Sequence, residues 1–152
     1  MKLKIIILIL FVFNSCTSSI EHYLNDGELQ LWVIVEYKYE GEEFDVINDL
    51  HLNSNIITFK KGNDCIIPIN YAGKNKNLDD KKAKWYIDEK NLNLKIETSG
   101  NKYFNGEYTV CINKKGYGLR PTVNLKSENI EMTLVGGLND NMNIHDKWEC
   151  QN

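Results

Sequence analysis

Arginine is almost missing from this chain: Arg120 stands alone among 18 basic residues, the others all being lysine. Alanine occurs only at Ala72 and Ala83, and proline only at Pro68 and Pro121. Set beside abundant Asn, Ile and Lys, this scarcity reads as AT-rich coding bias rather than a lysine-based binding surface. The formal charge is −3, and no clustered basic surface of the kind that grips phosphate backbones is present, so nucleic acid is excluded as a partner. Catalytic signatures are missing too. There is no Gly-x-Ser-x-Gly, and serine is sparse. The acid pairs Glu42/Glu43 and Asp79/Asp80 lie in turn or loop sequence, where neighbouring carboxylates do not converge on one substrate. "GYG" at 116 lacks the rest of any phosphate loop. The chain therefore does not read as an enzyme.

Metal chemistry is equally unsupported. No Cys-x-x-Cys or His-x-x-x-His spacing occurs, and His22, His51 and His145 are scattered. The alternating Asn139, Asn141 and Asn143 invite a calcium-loop reading. It fails at Ile144, where a glycine is needed, and at Cys150, where a bidentate glutamate is needed. No metal and no cofactor are expected.

Long apolar runs are also absent. The longest, Ile5–Phe13, would span about 14 Å as a helix, well short of a hydrocarbon core of roughly 30 Å. Preceded by Lys2 and Lys4, it reads as the h-region of a secretory signal rather than a membrane span. At its end stands "NSC", and Ser15-Cys16 resembles the bacterial lipobox, in which the cysteine is lipidated and becomes the first residue of the mature chain. Phe13 and Asn14 depart from the Leu and Ala/Ser usual there. A thiol can carry a thioether-linked diacylglycerol, and the freed amine a further chain. Each buried methylene adds about 0.8 kcal/mol, so two or three chains anchor firmly. The resulting division is a signal peptide at 1–15, a lipidated tether at 16–27 and a folded domain at 28–152. No Asp follows Cys16, so the expected address is the outer membrane.

Beyond residue 28, apolar and polar residues alternate with period two. Leu29, Leu31, Val33, Val35, Tyr37 and Tyr39 fall on one face, as do Leu92/Leu94/Ile96, Tyr108/Val110/Ile112, Val123/Leu125 and Ile130/Met132/Leu134. Strands are also expected at 55–60, 64–70 and 85–88, with a less regular one at 44–52. Pro68 marks an edge, bulge or strand end. Residues 70–84 read as a long solvated loop, and 140–149 as a short helix. Eight or nine strands, each with one buried face, predict an all-β antiparallel up-and-down barrel, with a β-sandwich as the alternative. The expected core is Leu29, Leu31, Val33, Val35, Leu94, Ile96, Tyr108, Val110, Leu125, Met132 and Leu134. Tyr37 and Tyr39 would then line a mouth with their hydroxyls at water.

The segments "LWVIVEY", "IITFKKGNDCIIP", "KWYIDEKNLNLKIE", "NGEYTV" and "VNLKSENIEMTL" together resemble the small lipocalin-like lipoproteins of Bacteroidetes, over roughly 28–136. That resemblance implies a lipocalin-like barrel of about eight strands. The lipocalin Gly-x-Trp is absent, because Gln30 stands where the glycine would be. Arg120 lies before the last two strands rather than after them, so the ligand habits of lipocalins do not transfer. Trp32 is expected to plug the barrel floor.

Cys65, Cys111 and Cys150 remain for oxidation in an exported protein. All three pairings are open, with Cys65–Cys150 narrowly preferred over Cys65–Cys111. Two functions fit: a membrane-anchored, non-catalytic module binding a small apolar ligand past Tyr37 and Tyr39, or an envelope structural or inhibitor-type protein that contacts another envelope protein through a filled barrel.

Overall fold

Period-two alternation becomes a closed antiparallel barrel in the computed structural model, which describes residues 19–69, 82–136 and 144–151. The elements are a helix α1 (Ile20–Asn25) and strands β1 (Leu29–Tyr39), β2 (Glu42–Glu43), β3 (Ile56–Lys60), β4 (Asp64–Ile66), β5 (Lys82–Asp88), β6 (Asn93–Thr98), β7 (Gly106–Asn113), β8 (Thr122–Lys126) and β9 (Ile130–Gly136). From β3 to β9 each strand pairs with the next, and β1 pairs with both β3 and β9, so the sheet closes on itself. The barrel has eight strands, and β2 is an addition at its edge. No helix among the described residues is long and apolar enough to cross a membrane.

Turn chemistry fixes the registers. Glu40 and Gly41 both take positive φ, 53° and 85°, the backbone that a two-residue hairpin between β1 and β2 requires. Between β5 and β6, Asp88 accepts from the backbone N–H groups of Lys90 and Asn91 and from the Asn91 amide. Asp45 organises residues 45–49 in the same way, through the N–H groups of Ile47 and Asn48. The stretch read as an irregular strand at 44–52 is thus mostly a folded turn, which buries Val46, Leu50 and Leu52. The strand expected at 64–70 ends at Ile66, before Pro68. Of the expected loop 70–84, residues 82–84 belong to β5, and 70–81 lie outside the described residues. In place of the helix expected at 140–149, a single 3-10 turn covers Asp146–Trp148, and 140–143 lie outside the described residues.

The expected face of β6 to β9 is the interior. Leu94, Ile96, Tyr108, Val110, Leu125, Met132 and Leu134 are each no more than 2% exposed. The first strand needs correction. Leu29 and Leu31 are 46% and 48% exposed, Val33 and Val35 are half-buried, and Trp32 and Ile34 point inward instead. The cause is a β-bulge between Ile34 and Glu36, where the pairing with β9 shifts register. An extra residue reverses the parity of everything beyond it, so the even positions face inward before the bulge and Tyr37 after it.

The antiparallel order places α1 and the β3–β4, β5–β6 and β7–β8 connections at one end. The β1–β2, β6–β7 and β8–β9 connections lie at the other. α1 falls within the expected tether, yet it packs on the barrel floor with Ile20 and Leu24 fully buried. Ser19 caps it by accepting from the His22 N–H, and the Trp32 indole donates to the Leu24 carbonyl at 2.8 Å. Trp32, 2% exposed, is core at this floor, as the sequence suggested.

Candidate functional site

Tyr37 and Tyr39 sit at the barrel end opposite α1, where the β6–β7 connection folds over the opening. Asn101 builds that connection. Its backbone carbonyl accepts from the N–H groups of Phe104 and Asn105, its side-chain oxygen accepts from the Tyr103 N–H, and its amide donates to the Pro68 carbonyl at 2.9 Å. The resulting tight turn drops Phe104 into the barrel, fully buried.

Two tyrosines fasten this stopper from inside. The Tyr37 hydroxyl donates to the Tyr103 carbonyl at 2.7 Å, and the Tyr108 hydroxyl donates to the Phe104 carbonyl at 2.7 Å. Burial raises both phenols well above their ordinary range, aided at Tyr37 by neighbouring Tyr108. They stay protonated and act as fixed donors. Tyr37 therefore does not present its hydroxyl to water as expected. The bulge turned it inward, and the carbonyl of residue 103 met it there.

Tyr39 is half-buried at the rim. Its ring meets the Tyr103 ring edge-on at 5.4 Å, and the Lys102 ammonium lies 5.4 Å from the Tyr39 centroid and 5.2 Å from that of Tyr103. Beside this cluster a shallow open groove of about 440 Å³ is lined by Tyr39, Lys102, Asn105, Glu107 and Ile130, among others. Its lining mixes polar and apolar groups.

The interior beneath is occupied by large side chains. Phe59 and Trp85 meet at a tilt with ring centroids 5.0 Å apart, Tyr37 meets Phe104 at 5.9 Å, and the Trp85 indole donates to the Lys60 carbonyl at 2.9 Å. Cys65 projects into this interior, 2% exposed, and burial pushes its thiol well up from the ordinary value.

The preferred Cys65–Cys150 pairing is corrected: Cys111 is bonded to Cys150, and Cys65 is free. The reason is sidedness. Cys111 alternates with the buried Val110 and Ile112 and so faces outward on β7, where the C-terminal tail runs. The tail adds a parallel bridge from Glu149 to Ile112, a bond from the Cys150 N–H to the Ile112 carbonyl, and ion pairs from Lys114 to Asp146 and Glu149. A wall of sheet separates it from Cys65. Trp148 is thereby laid against Tyr23 of α1 at 6.2 Å, 1% exposed, so α1 and the C-terminal tail together seal the floor.

Sequence reasoning placed Trp32 at this floor but missed the helix and the tail that seal it. The helix's signal was present: a capping serine followed by Ile20, Tyr23 and Leu24 at helical spacing. Among the described residues no group of three or more His, Cys, Asp or Glu is placed to hold a metal. Cys16 lies outside the described residues. Comparison with family models, with curated proteins and with solved structures finds no match to this chain.

Proposed function

We propose that this protein is a lipid-anchored envelope protein whose barrel is a filled, rigid scaffold for contact with another envelope protein. The observation that carries this reading is the double stopper. Phe104, fastened by Tyr37 and Tyr108, closes one end, and α1 with Trp32 and Trp148 closes the other. A barrel of eight strands leaves an interior that side chains can fill or that one small ligand can occupy. The aromatic contacts within this one favour filling over an apolar ligand. The likeness to lipocalin-like lipoproteins enters as architecture, without their ligands, and the anchor at Cys16 is part of the proposal.

The contact surface is the rim bearing Tyr39, Lys102 and Tyr103, since half-exposed tyrosines held rigid beside a cation make low-entropy contacts. The test places a photo-crosslinking residue at Lys102 or, as a control, at Lys95 on the barrel wall, in cells carrying the full chain. One discrete adduct from position 102 and none from 95 is expected. Equal or absent cross-linking at both would refute the rim. Cys16→Ser should lose its acyl mass and leave the membrane fraction, and retention of that variant in the membrane would refute the anchor.

A further inference from the structure

We infer that the outer wall formed by β1, β3 and β4 lies against the bilayer surface, an assignment that rests on the lipid anchor proposed above. This wall carries apolar side chains on its outer face. Leu29, Leu31, Ile56 and Ile66 are 46%, 48%, 36% and 40% exposed, four of the seven large apolar side chains exposed among the described residues. Register gathers them. Leu31 stands opposite Thr58, Thr58 opposite Ile66, and Val33 opposite Ile56. Thr58 points outward yet is only 4% exposed, between Leu31 and Ile66. The outer face of β6–β9 carries the charge pairs Lys95–Glu97 and Lys126–Glu131, and the apolar wall itself meets charge where Asp64 of β4 pairs with Lys84 of β5.

Chain length supplies the occupant. Ser19 is already fixed as the cap of the packed helix α1. From Cys16 to Ser19 the chain can reach only about 10 Å. The six residues of α1 rise about 9 Å, and the turn at Asp26 and Gly27, both at positive φ, then delivers Leu29 at the lower edge of the wall. The N-terminal end of α1 lies at the floor, where the Glu21 N–H donates to Glu89 in the β5–β6 turn. A leash this short therefore keeps the floor and the lower edge of the apolar wall within reach of the membrane, at a high effective concentration. Lys60, opposite Leu29 in the register, stands at the same edge, where an ammonium can meet lipid phosphate while its stem stays on apolar surface. An exposed apolar patch with a bilayer in constant reach is covered by it.

The acylated full chain is reconstituted into phosphatidylethanolamine/phosphatidylglycerol vesicles containing a doxyl-lipid quencher. In a Cys65→Ala background, an environment-sensitive fluorophore is placed at Leu31→Cys or, on the opposite wall, at Glu107→Cys. Quenching several-fold stronger at 31 than at 107 is expected. A flexible ten-residue Gly-Ser insertion ahead of Ser19 should reduce that difference. Equal quenching at the two sites, or none at either, overturns the assignment while an acyl mass on Cys16 leaves the anchor standing. A dimer bridged through Leu31→Cys would give the wall to a second copy and equally overturn it. Absence of the acyl mass overturns anchor and wall together.

Discussion

Replacing both Cys111 and Cys150 by alanine tests how the tail is held. The two are 39 residues apart in sequence. Chain-entropy arguments for a loop of that length give roughly 4 kcal/mol of stabilisation, acting mainly by restricting the unfolded chain. Both cysteines must go, because a single substitution leaves a reactive thiol that confuses the comparison. The tail keeps other ties: the Cys150 N–H to the Ile112 carbonyl at 3.1 Å and the Lys114–Asp146 pair at 2.8 Å. The latter is solvent-exposed and contributes little. The disulfide is therefore the main restraint on Trp148, and its loss should also loosen the packing of Trp148 on α1. The assay is equilibrium urea unfolding of oxidised wild type against the double variant, followed by tryptophan fluorescence. The variant should unfold at a lower urea midpoint, with a free energy lower by about 2–4 kcal/mol and a slightly larger m-value from its less restrained unfolded chain. A loss below about 1 kcal/mol would refute the loop-entropy account. A Cys65–Cys150 peptide in a non-reducing digest would refute the pairing.

Three further outcomes are expected. Tyr108→Phe leaves the buried Phe104 carbonyl without its 2.7 Å donor and should cost about 1–3 kcal/mol in the same unfolding assay; a neutral result would refute the fastening of the stopper. Cys65, buried in the interior with its thiol pushed up, should react with maleimide only after denaturation, and stoichiometric labelling of the native protein would refute the inward face of β4. Asp88 is held below its ordinary value, first by the Asn91 side-chain amide and then by backbone N–H groups. A depressed carboxylate contributes stability above its unfolded pKa of about 3.9 and loses it as pH falls through the folded value. Asp88→Asn should therefore shrink the fall in stability below about pH 4, and an unchanged acid limb in urea titrations would contradict the turn's role.

How far the sequence disclosed this molecule depended on whether period two ran unbroken. From β6 to β9 it did, and Leu94, Ile96, Tyr108, Val110, Leu125, Met132 and Leu134 were placed correctly from alternation alone. In β1 the same rule misassigned Leu29 and Leu31. The bulge at Val35 adds a residue without any Gly or Pro to announce it, and the residues on the outer face are apolar as well. The disulfide was illegible for a different reason. Alternation says which face Cys111 occupies, but nothing local says along which face the tail returns. At the rim, Tyr37 and Tyr39 were rightly set near one end of the strand, yet the meeting of Tyr37 with the Tyr103 carbonyl is a contact between residues 66 apart. No local pattern encodes such a meeting.

The central claim is that side chains fill this barrel. Its most direct test is native mass spectrometry of the protein purified gently from its native cells, paired with organic extraction of the same sample. The account predicts one species, the chain from Cys16 with its acyl groups, and an extract containing no stoichiometric apolar compound. A second native mass exceeding the first by one small apolar molecule, recovered in the extract at one per chain, would contradict it.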